Sequence, residues 1–546
     1  MADRFPLIVD SSAQQLQELA VGDNLNLASS GLINADNIQT SGLNVGVMTA
    51  TSFIGDGSQL TNLPAAGSST ELTASGTLAD GSTVIVNADG TVSVAGVQTT
   101  PQTSGTANTF NSQDSDFTPQ SATFDSTNNK VIVAWEESNT GKIIVGDVNP
   151  SNNSITFGSK QTFISYTNYY RYSLTYNSNS GRVVAAFTDS SGNDDGYSIV
   201  GQVSGTSINF GGTASAVRFN HGVTYDVGIT SLSDNRVVIV YRDYSNSNYG
   251  TAIVGTISGS SISYGSEYVF NSSYSTALGI AYDSTNDRIV IGFRDEYNTA
   301  NRSSAVVGNV SGTTITFGSV VRLDSNGSNG YSHSAVHDSS TGKTVIAWKD
   351  TIGKAVVGTV NASSNSISFG SPVTYNNGAT NDVTTAFDSN SNQILIGFQD
   401  DSDADEPTTA IAGTVSGTTI NFGTKLKLAT TDGYRTAMTF DSNSNRAVIV
   451  YKDQDNSGSG VAIVYQPPVT STNLTEENFI GISNGAYSDG QTATIQLIGS
   501  VDDAQSSLTP GQKYYVQGDG TLSETADSPS VLAGTAVAAT KLMIKK

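Results

Sequence analysis

One apolar strand pattern occurs seven times along the chain, and it constrains the fold more than any other feature of the sequence. Each copy is five residues long and ends in an aromatic residue, as at 131–135 (VIVAW) and 289–293 (IVIGF). The aromatic residues recur at steps of 50 to 55 residues. They are Trp135, Phe187, Tyr241, Phe293, Trp348, Phe398 and Tyr451. An uninterrupted apolar run of this length is typical of a strand that is buried on both faces.

Three further strands fit within each repeat. A short strand that ends in Asp precedes the apolar strand, as at 122–125, and two strands follow it, as at 142–148 and 155–159. Four strands per repeat at this period predict an all-β fold, a seven-bladed β-propeller with an N-terminal fibrous β segment and a small C-terminal β domain. A β-solenoid is the alternative, but its repeats are usually shorter and lack the four-strand meander.

The seventh repeat ends early, because its third strand at 460–465 is followed by Gln466, Pro467 and Pro468. Proline has no amide hydrogen and cannot continue a strand ladder. The missing fourth strand has a match before the first repeat, since residues 103–110 space Thr, Gly, Thr and Phe as residues 156–163 do. This match predicts that a strand from the front of the domain closes the ring and removes its open edges. The propeller is therefore predicted to span 103–466.

An acidic residue stands two positions after each of the seven aromatic residues. These acids are Glu137, Asp189, Asp243, Asp295, Asp350, Asp400 and Asp453. In a four-strand meander the loops after the second and fourth strands share one face, so the acids are expected together. One interpretation is a cation-binding ring or a glycosidase pair. The other is that each acid caps the following turn, beside bases such as Arg242, Arg294, Lys349 and Lys452. Sevenfold repetition favours the turn role, because catalysis needs asymmetry.

The other chemistry-bearing residues are sparse. His221, His333 and His337 lack metal-ligand spacing, and the absence of cysteine excludes a thiolate site or a disulfide. The sequence thus predicts no catalytic residue, no metal site and no cofactor. A formal charge of -23 repels phosphate backbones and anionic membranes. We therefore expect no nucleic-acid partner and no membrane insertion, and the short apolar run near the N-terminus predicts no export signal.

The loops after the fourth strands vary while the blade core repeats, and they concentrate Tyr, Asn, Asp and Arg on the face of the acids. The loop at 164–173 holds four tyrosines within seven residues. Tyrosine offers a rigid apolar surface with a hydrogen-bonding tip, which suits recognition. The candidate ligand-binding residues are Tyr166, Tyr169, Tyr170, Arg171, Tyr172, Tyr225, Tyr331 and Tyr434. The alternative is that these side chains cover a neighbouring blade or line the central channel.

The flanks divide into three segments. Residues 1–70 hold a short predicted helix at 11–19 and then a Gly-punctuated stretch whose apolar residues are too sparse for a core within one copy. The stretch is either disordered or ordered by association with identical copies, and we expect association, as a trimer. Residues 71–102 are predicted to form a short β module with a turn at Asp89–Gly90. Residues 467–546 are predicted to form a small C-terminal β domain.

The flanks also carry a resemblance to a known class of proteins. The segments MADRFPLIVDSSAQQLQELAVGDNL and TATSFIGDGSQLTNL resemble the N-terminal segments of structural and tail-fibre proteins of marine tailed phages, notably cyanophages. Residues 73–96 resemble a β module found beside such segments, and the last 75 residues are similar to C-terminal domains of phage fibres. This resemblance covers about a third of the chain. It implies a virion location after assembly in the host cytoplasm, contact with other virion proteins through residues 1–70, and often a trimer.

Together these features predict a non-enzymatic structural virion protein of a tailed phage. We expect a tail-fibre or appendage component whose propeller presents one face to a host-surface glycan or receptor. Two alternatives remain open at this point. One is a purely structural spacer or decoration protein, and the other is a glycan depolymerase that uses two of the ring carboxylates.

Overall fold

The computed structural model describes residues 7–10, 15–18, 69–116, 121–165, 172–189, 191, 193–210, 216–297, 300–324 and 330–545. The chain divides into two compact units, Met1–Ala65 and Ala66–Lys546. In the first unit, strand β1 (Leu7–Asp10) pairs antiparallel with β2 (Gln15–Glu18). The helix predicted at 11–19 is therefore wrong, because β2 occupies its centre. The segment at 20–65 that we expect to self-associate lies outside the described residues.

In the second unit, the repeats form antiparallel sheets of the predicted meander type. Blade 1 contains β9 (Ala122–Asp125), β10 (Lys130–Glu137), β11 (Thr140–Asn149), β12 (Ser154–Phe157) and β13 (Gln161–Ile164). Blade 2 contains β14 (Tyr172–Asn177), β15 (Arg182–Asp189), β16 (Asp195–Ser204), β17 (Ser207–Asn209) and β18 (Val217–Asn220). Blade 3 contains β19 (Thr224–Ser231), β20 (Arg236–Asp243), β21 (Tyr249–Ser258), β22 (Ser261–Tyr264) and the first part of β23 (Tyr268–Asp283).

The remaining blades follow the same order. Blade 4 contains the second part of β23, β24 (Arg288–Tyr297), β25 (Ala300–Ser311), β26 (Thr314–Phe317) and β27 (Val321–Arg322). Blade 5 contains β28 (Tyr331–Asp338), β29 (Lys343–Lys349), β30 (Gly353–Asn361), β31 (Ser366–Phe369) and β32 (Val373–Asn376). Blade 6 contains β33 (Thr380–Asp388), β34 (Gln393–Asp400), β35 (Pro407–Ser416), β36 (Thr419–Phe422) and the first part of β37 (Leu426–Asp441). Blade 7 contains the second part of β37, β38 (Arg446–Asp453), β39 (Ser459–Gln466), β7 (Thr103–Ser104) and β8 (Asn108–Asp114).

Apolar packing between successive blades closes these sheets into a ring. Seven of the apolar clusters among the described residues each draw their side chains from two neighbouring blades. The cluster that closes the ring joins Val133 and Trp135 of blade 1 to Val448 and Val450 of blade 7. All seven strand-end aromatics are fully buried or nearly so. The chain therefore folds as a seven-bladed β-propeller, and its apolar strands lie between sheets as their composition predicts.

Ring closure uses the strand that the sequence places before blade 1. Ser104 of β7 lies opposite Tyr465 of β39, and Thr109 of β8 lies opposite Val461. We define the upper face of the propeller as the face with the loops after the second and fourth strands, and the lower face as the opposite one. The fourth strand of each blade runs from the lower face to the upper face. Because β7 starts where β39 ends, the chain enters and leaves the propeller on the lower face.

A glycine in the fourth strand sets how closely neighbouring blades approach. A Cβ atom at Gly105 would lie 1.7 Å from the carbonyl oxygen of Asn153, in the next blade around the ring. At Gly318 it would lie 1.8 Å from the carbonyl oxygen of Asn365. Gly105 and Gly318 each approach the turn between the third and fourth strands of the next blade. Gly423 in blade 6 has no such neighbour, because the fourth strand of blade 7 comes from before blade 1 and no turn joins it to the third strand. A Cβ atom there would meet only the carbonyl oxygen of Ala412, at 3.7 Å.

The segments on either side of the propeller are joined through shared sheets. Strands β3 (Ser69–Thr73), β4 (Thr83–Val86) and β5 (Val92–Val94) form one sheet with β41 (Phe479–Ser483) and β42 (Thr492–Gln496). Strand β6 (Val97–Thr100) pairs with β40 (Val469–Thr472). A second sheet contains β43 (Val501–Asp502), β44 (Lys513–Val516), β45 (Leu522–Ser523), β46 (Val531–Ala538) and β47 (Lys541–Ile544).

The predicted segments 71–102 and 467–546 are therefore not separate domains. Strands from both segments build the first sheet, which we call module 1, and the second sheet is module 2. The propeller is an insertion within module 1. Among the described residues, no helix is long and apolar enough to cross a membrane.

We predict that Gly105→Ala and Gly318→Ala each lower the free energy of unfolding by about 1 to 3 kcal/mol, because the added methyl group pushes against backbone of the next blade. Gly423→Ala is the matched control and should leave stability nearly unchanged. Thermal and urea unfolding of the full chain measure this. Equal stability of all three variants would contradict the proposed close approach of the blades.

Candidate functional site

The upper face of the propeller is shaped by a bulge near the start of the inner strand, which is the first strand of each blade. In blades 3 to 7, the register of this strand shifts after its first few residues. A residue with φ between 48° and 56° stands at each shift, and these residues are Asp226, Ala277, Ser332, Asp382 and Arg435. Non-glycine residues rarely adopt this conformation, and bulges redirect side chains near functional sites.

Before each bulge, one side chain lies opposite the residue that follows the strand-end aromatic. The opposed pairs are Tyr225 with Arg242, Thr276 with Arg294, Tyr331 with Lys349, Asn381 with Gln399 and Tyr434 with Lys452. The residue after the aromatic is arginine in blades 3 and 4, lysine in blades 5 and 7 and glutamine in blade 6, whereas the position before it is aromatic in every blade. The chemistry of the upper face therefore varies around the ring.

Blade 3 holds an arginine between two tyrosine rings. The guanidinium carbon of Arg242 lies 4.4 Å from the ring centre of Tyr225 and 5.0 Å from that of Tyr274. Arg242 donates from Nη1 to the Tyr274 hydroxyl at 2.6 Å and from Nε to Asp226 Oδ2 at 2.9 Å. Tyr244 packs edge-on against Tyr225 at 5.7 Å between ring centres. Each such cation–π contact stabilises by about 0.5 to 2 kcal/mol, so the rings are held in place.

Blades 4 and 5 repeat this arrangement with different partners. The guanidinium carbon of Arg294 lies 3.8 Å from the ring centre of Tyr331, and its Nη1 lies 3.2 Å from Glu296 Oε1. Lys349 approaches the same ring at 6.0 Å and donates to Asn381 Oδ1. We call Tyr225, Tyr244, Tyr274, Tyr331, Arg242 and Arg294 together the tyrosine face. Tyr274, Tyr331 and Tyr244 remain 37%, 41% and 54% exposed, so rings held by cations still offer surface to solvent.

The acids that follow the second strands serve turns and ion pairs. Asp189 accepts the amide of Ser191 at 2.8 Å, and Asp243 accepts that of Asn246 at 3.1 Å. Glu137 and Asp350 pair with Lys160 and Lys354 at 2.8 and 3.1 Å. Burial opposes ionisation of Asp400, but its bonds from Lys425, Ser402 and Asn376 hold the pKa of that carboxyl below its usual value. The contacts of Asp189 and Asp243 agree with the turn-capping interpretation, whereas Glu137, Asp350 and Asp400 form ion pairs with lysines.

Blades 6 and 7 carry an acidic region on the same face. Gln399 donates from Nε2 to Asp432 Oδ1 at 2.8 Å and to Glu406 Oε2 at 3.3 Å. Burial, and then the charges of Asp455 and Asp401, raise the pKa of Asp432, while Asp401 raises the pKa of Glu406. Within the described part of the chain, no three His, Cys, Asp or Glu side chains are arranged to hold a metal ion.

The structure separates the predicted site residues into three groups. Tyr166, Tyr169, Tyr170 and Arg171 lie outside the described residues. For Tyr172 the ligand-binding prediction is wrong, because its side chain is 1% exposed and its ring packs at 6.0 Å against Phe163 in the core between blades 1 and 2. Tyr225 and Tyr331 belong to the tyrosine face. Tyr434 occupies the equivalent position in blade 7, where the guanidinium of Arg435 lies 4.9 Å from its ring centre.

Sequence reasoning missed Tyr244 and Tyr274 and treated Arg242 and Arg294 only as neighbours of the acids. A signal for the arginines was present in the repeat. The position after the strand-end aromatic changes between blades while its surroundings stay constant, and such variation marks a surface that packing does not dictate. Tyr274 carried no comparable signal in the sequence. Its approach to Arg242 depends on the path of β23, the strand that blades 3 and 4 share.

No protein-family model matches the chain, and none of the curated proteins matches its sequence. Among solved structures, the chain is similar to the BP39L lectin of Burkholderia pseudomallei, at 10% identity and a TM-score of 0.47, over 65% of this chain and 99% of the lectin. It is also similar to the periplasmic gluconolactonase PpgL of Pseudomonas aeruginosa, at 12% identity and a TM-score of 0.40, over 66% of this chain and 97% of that protein. Similarities this weak indicate no ligand or reaction, and the propeller assignment rests on the strand order and packing described above.

His333 follows the bulge of blade 5 and is buried against Trp348, with ring centres 6.5 Å apart. Burial lowers the pKa of His333 to about 3, and the charge of Arg294 adds to this effect. The folded chain thus keeps this imidazole neutral at pH values where the unfolded chain protonates it. Its contribution to stability is complete above the unfolded pKa near 6.5 and falls as the pH drops below that value.

We predict that the free energy of unfolding of the wild-type chain falls by about 2 kcal/mol more than that of His333→Phe between pH 7 and pH 5, because only the wild-type unfolded chain binds the extra proton. Packing differences between the two side chains cancel, since they are present at both pH values. Denaturant unfolding at each pH measures the difference. Parallel pH profiles for the two proteins would mean that His333 is not held neutral.

Proposed function

We propose that the chain is a structural virion protein of a tailed phage, a tail-fibre or appendage component whose tyrosine face binds a host-surface glycan without cleaving it. The flanking segments support the virion assignment, because they resemble the ends of tail-fibre proteins of marine phages. In this proposal residues 1–70 contact other virion proteins and associate into a trimer. The propeller carries the recognition surface.

The observation that carries the glycan proposal is the set of exposed tyrosine rings held by arginines. A sugar ring presents a face of C–H groups and a rim of hydroxyls, so it needs a flat apolar surface with hydrogen-bonding groups at its edge. Tyr274 and Tyr331 supply such surfaces, and Asp226, Glu296 and Asn381 stand beside them as donors or acceptors. Single exposed aromatics are common, but several rings fixed beside one another need a partner to account for their exposed apolar area.

The rings are fixed before any ligand arrives. Arg242 touches two rings and bonds to Asp226, and Arg294 joins the ring of Tyr331 to Glu296. Side chains that are already ordered lose little rotamer freedom on binding, which favours affinity. Since each arginine is neutralised by a neighbouring carboxylate, the surface suits a neutral sugar better than a polyanion.

The path of the chain also supports this role. The modules join the propeller on the lower face, where β7 begins and β39 ends. The tyrosine face is on the opposite side, so the rest of the second unit does not cover it.

A glycan depolymerase is the second candidate, and the acidic region of blades 6 and 7 favours it. Burial and like charges raise the pKa of Asp432, as the general acid of a glycosidase requires. Against this role, Gln399 bonds both Asp432 and Glu406, and the tyrosine face is on other blades. Release of reducing sugar from host polysaccharide would separate cleavage from binding.

We predict that the purified full chain binds host cells and competes with phage particles for attachment. Tyr331→Ala and Arg294→Ala should each weaken binding roughly 10- to 100-fold, as truncation of an interface aromatic or arginine does. Tyr282→Ala is the matched control, because Tyr282 lies at the lower end of the inner strand of blade 4 and bonds to Asp287. Circular dichroism confirms folding. Attachment that is unchanged in both folded variants would remove the tyrosine face from recognition, and no competition with particles would count against the virion role.

A further inference from the structure

Modules 1 and 2 are two copies of one fold unit. Their sheets have the same strand order, β3-β42-β41-β4-β5 in module 1 and β43-β47-β46-β44-β45 in module 2. Residues 81–93 (GSTVIVNADGTVS) and 511–523 (GQKYYVQGDGTLS) align without a gap. The hairpin turns have identical bonds, since Thr91 donates its amide to Asp89 Oδ1 at 3.0 Å and Thr521 donates its amide to Asp519 Oδ1 at 2.9 Å.

The bulges also coincide. Ile85 lies opposite Phe479 after a register shift in module 1, and Tyr515 lies opposite Leu532 after the same shift in module 2. Gly81 donates to the carbonyl of Ser483 at 3.0 Å, as Gly511 does to that of Ala536 at 2.8 Å. The residues of the aligned hairpin and of the paired strand beside it therefore have defined equivalents in the other module.

The two modules contact each other through different faces. Module 1 contributes Ile85, Phe479 and Ile482, which are buried in one cluster with Tyr514 and Leu542 of module 2. We call this side of module 1 its docking face. The turn at Asp519–Gly520 and the loop at 504–505 of module 2 lie against it, with bonds from Thr83 Oγ1 to the Gly520 carbonyl at 2.7 Å and from Gln505 Nε2 to the Gly81 carbonyl at 2.8 Å.

Because the contact is head to tail, the described residues leave one half of it unpaired in each module. The turn of module 1 at Asp89–Gly90 is the equivalent of the docked turn, yet a Cβ atom at Gly90 would meet nothing within 4 Å, whereas one at Gly520 would lie 1.9 Å from the Ala95 carbonyl oxygen. The docking face of module 2 carries Tyr515 and Leu532, which are only partly buried, while their equivalents Ile85 and Phe479 are 3% and 2% exposed.

We propose that the docking face of module 2 binds the Asp89–Gly90 turn of a second copy of this chain, repeating between chains the contact that joins the modules within one chain. The chemistry of the two halves is complementary. Lys513 is the equivalent of Thr83, which donates a hydrogen bond to the docked turn within one chain. The docking face of module 2 therefore keeps a donor at this position, and the positive charge of Lys513 would face the carboxylate of Asp89 in the second copy. A head-to-tail contact of this kind closes into a ring or continues as a chain.

The inference does not rest on glycan binding, and it names an interface different from the N-terminal association proposed above. It is tested by light scattering and sedimentation of the full chain over a concentration series. Leu532→Arg disables the docking face, and Ala88→Arg, at an exposed turn position, disables the turn. Val320→Arg is the matched control, because Val320 is 38% exposed on the propeller rim, away from both modules.

We expect the wild type and Val320→Arg to associate with rising concentration, and each of the other two variants to give smaller assemblies. An equimolar mixture of Leu532→Arg and Ala88→Arg should form mixed assemblies larger than either variant forms alone, since one intact turn and one intact docking face remain between them. If Leu532→Arg fails to fold, the exposed Ala88→Arg still tests the contact. Wild-type chain that stays monomeric at the highest soluble concentration, or assemblies that Ala88→Arg leaves unchanged, would overturn the proposal.

Discussion

The pairing of β7 and β8 with β39 is the interaction on which the rest of the second unit depends. Blade 7 has only three strands of its own, and the fourth comes from residues that precede blade 1 in the chain. Without it, β39 would present an unpaired edge, and the turn of blade 1 would lose its contact with Gly105. Gly105 in the closing strand packs against Asn153 of blade 1, and Arg446 reaches the same asparagine from blade 7 at the lower face, with Nε 2.5 Å from Asn153 Oδ1.

Closure of the ring also explains how the flanks are built. Once the first and last strands of the propeller lie side by side, the chain segments before and after them must run together, and β6 pairs with β40. The strands beyond this pair form module 1. Its sheet contains β3, β4 and β5 from before the propeller and β41 and β42 from after it. Folding of module 1 and closure of the ring therefore stabilise each other, because each holds the same two chain segments together. The same geometry brings β6 and β40 to the lower face, on the side of the propeller opposite the tyrosine face.

The sequence predicted the propeller well, because a five-residue apolar run that ends in an aromatic has few places to lie except between two sheets. Closure was predictable for a similar reason, since residues 103–110 space Thr, Gly, Thr and Phe as residues 156–163 in the fourth strand of blade 1 do. The flanks were not predictable to the same degree. Strands β4 and β41 pair although almost 400 residues lie between them, and each flank alone has the composition of an independent β segment, so local pattern gave no reason to join them.

The candidate site was predictable only in part. Tyrosine-rich loops indicated the upper face, and Tyr225 and Tyr331 lie on it, but composition cannot distinguish a ring that points to solvent from one that fills a core. Tyr172 was assigned to the surface for that reason, although it begins an inner strand and packs against Phe163. The stacking of Arg242 and Arg294 on tyrosines depends on bulges in the inner strands. The residues at those bulges, such as Asp226 and Ala277, have no shared type that would have revealed a left-handed conformation.

Ring closure is tested most directly by comparing two fragments that both end at Gln466, one beginning at Thr103 and the other at Ser121. The account predicts that the longer fragment is monomeric and unfolds in one cooperative transition, because it contains the closing strand. The shorter fragment should aggregate or melt at a lower temperature, since β39 is left with an exposed edge. Light scattering and thermal unfolding provide the comparison. Equal solubility and equal melting temperatures for the two fragments would contradict the claim that the N-terminal strand closes the ring.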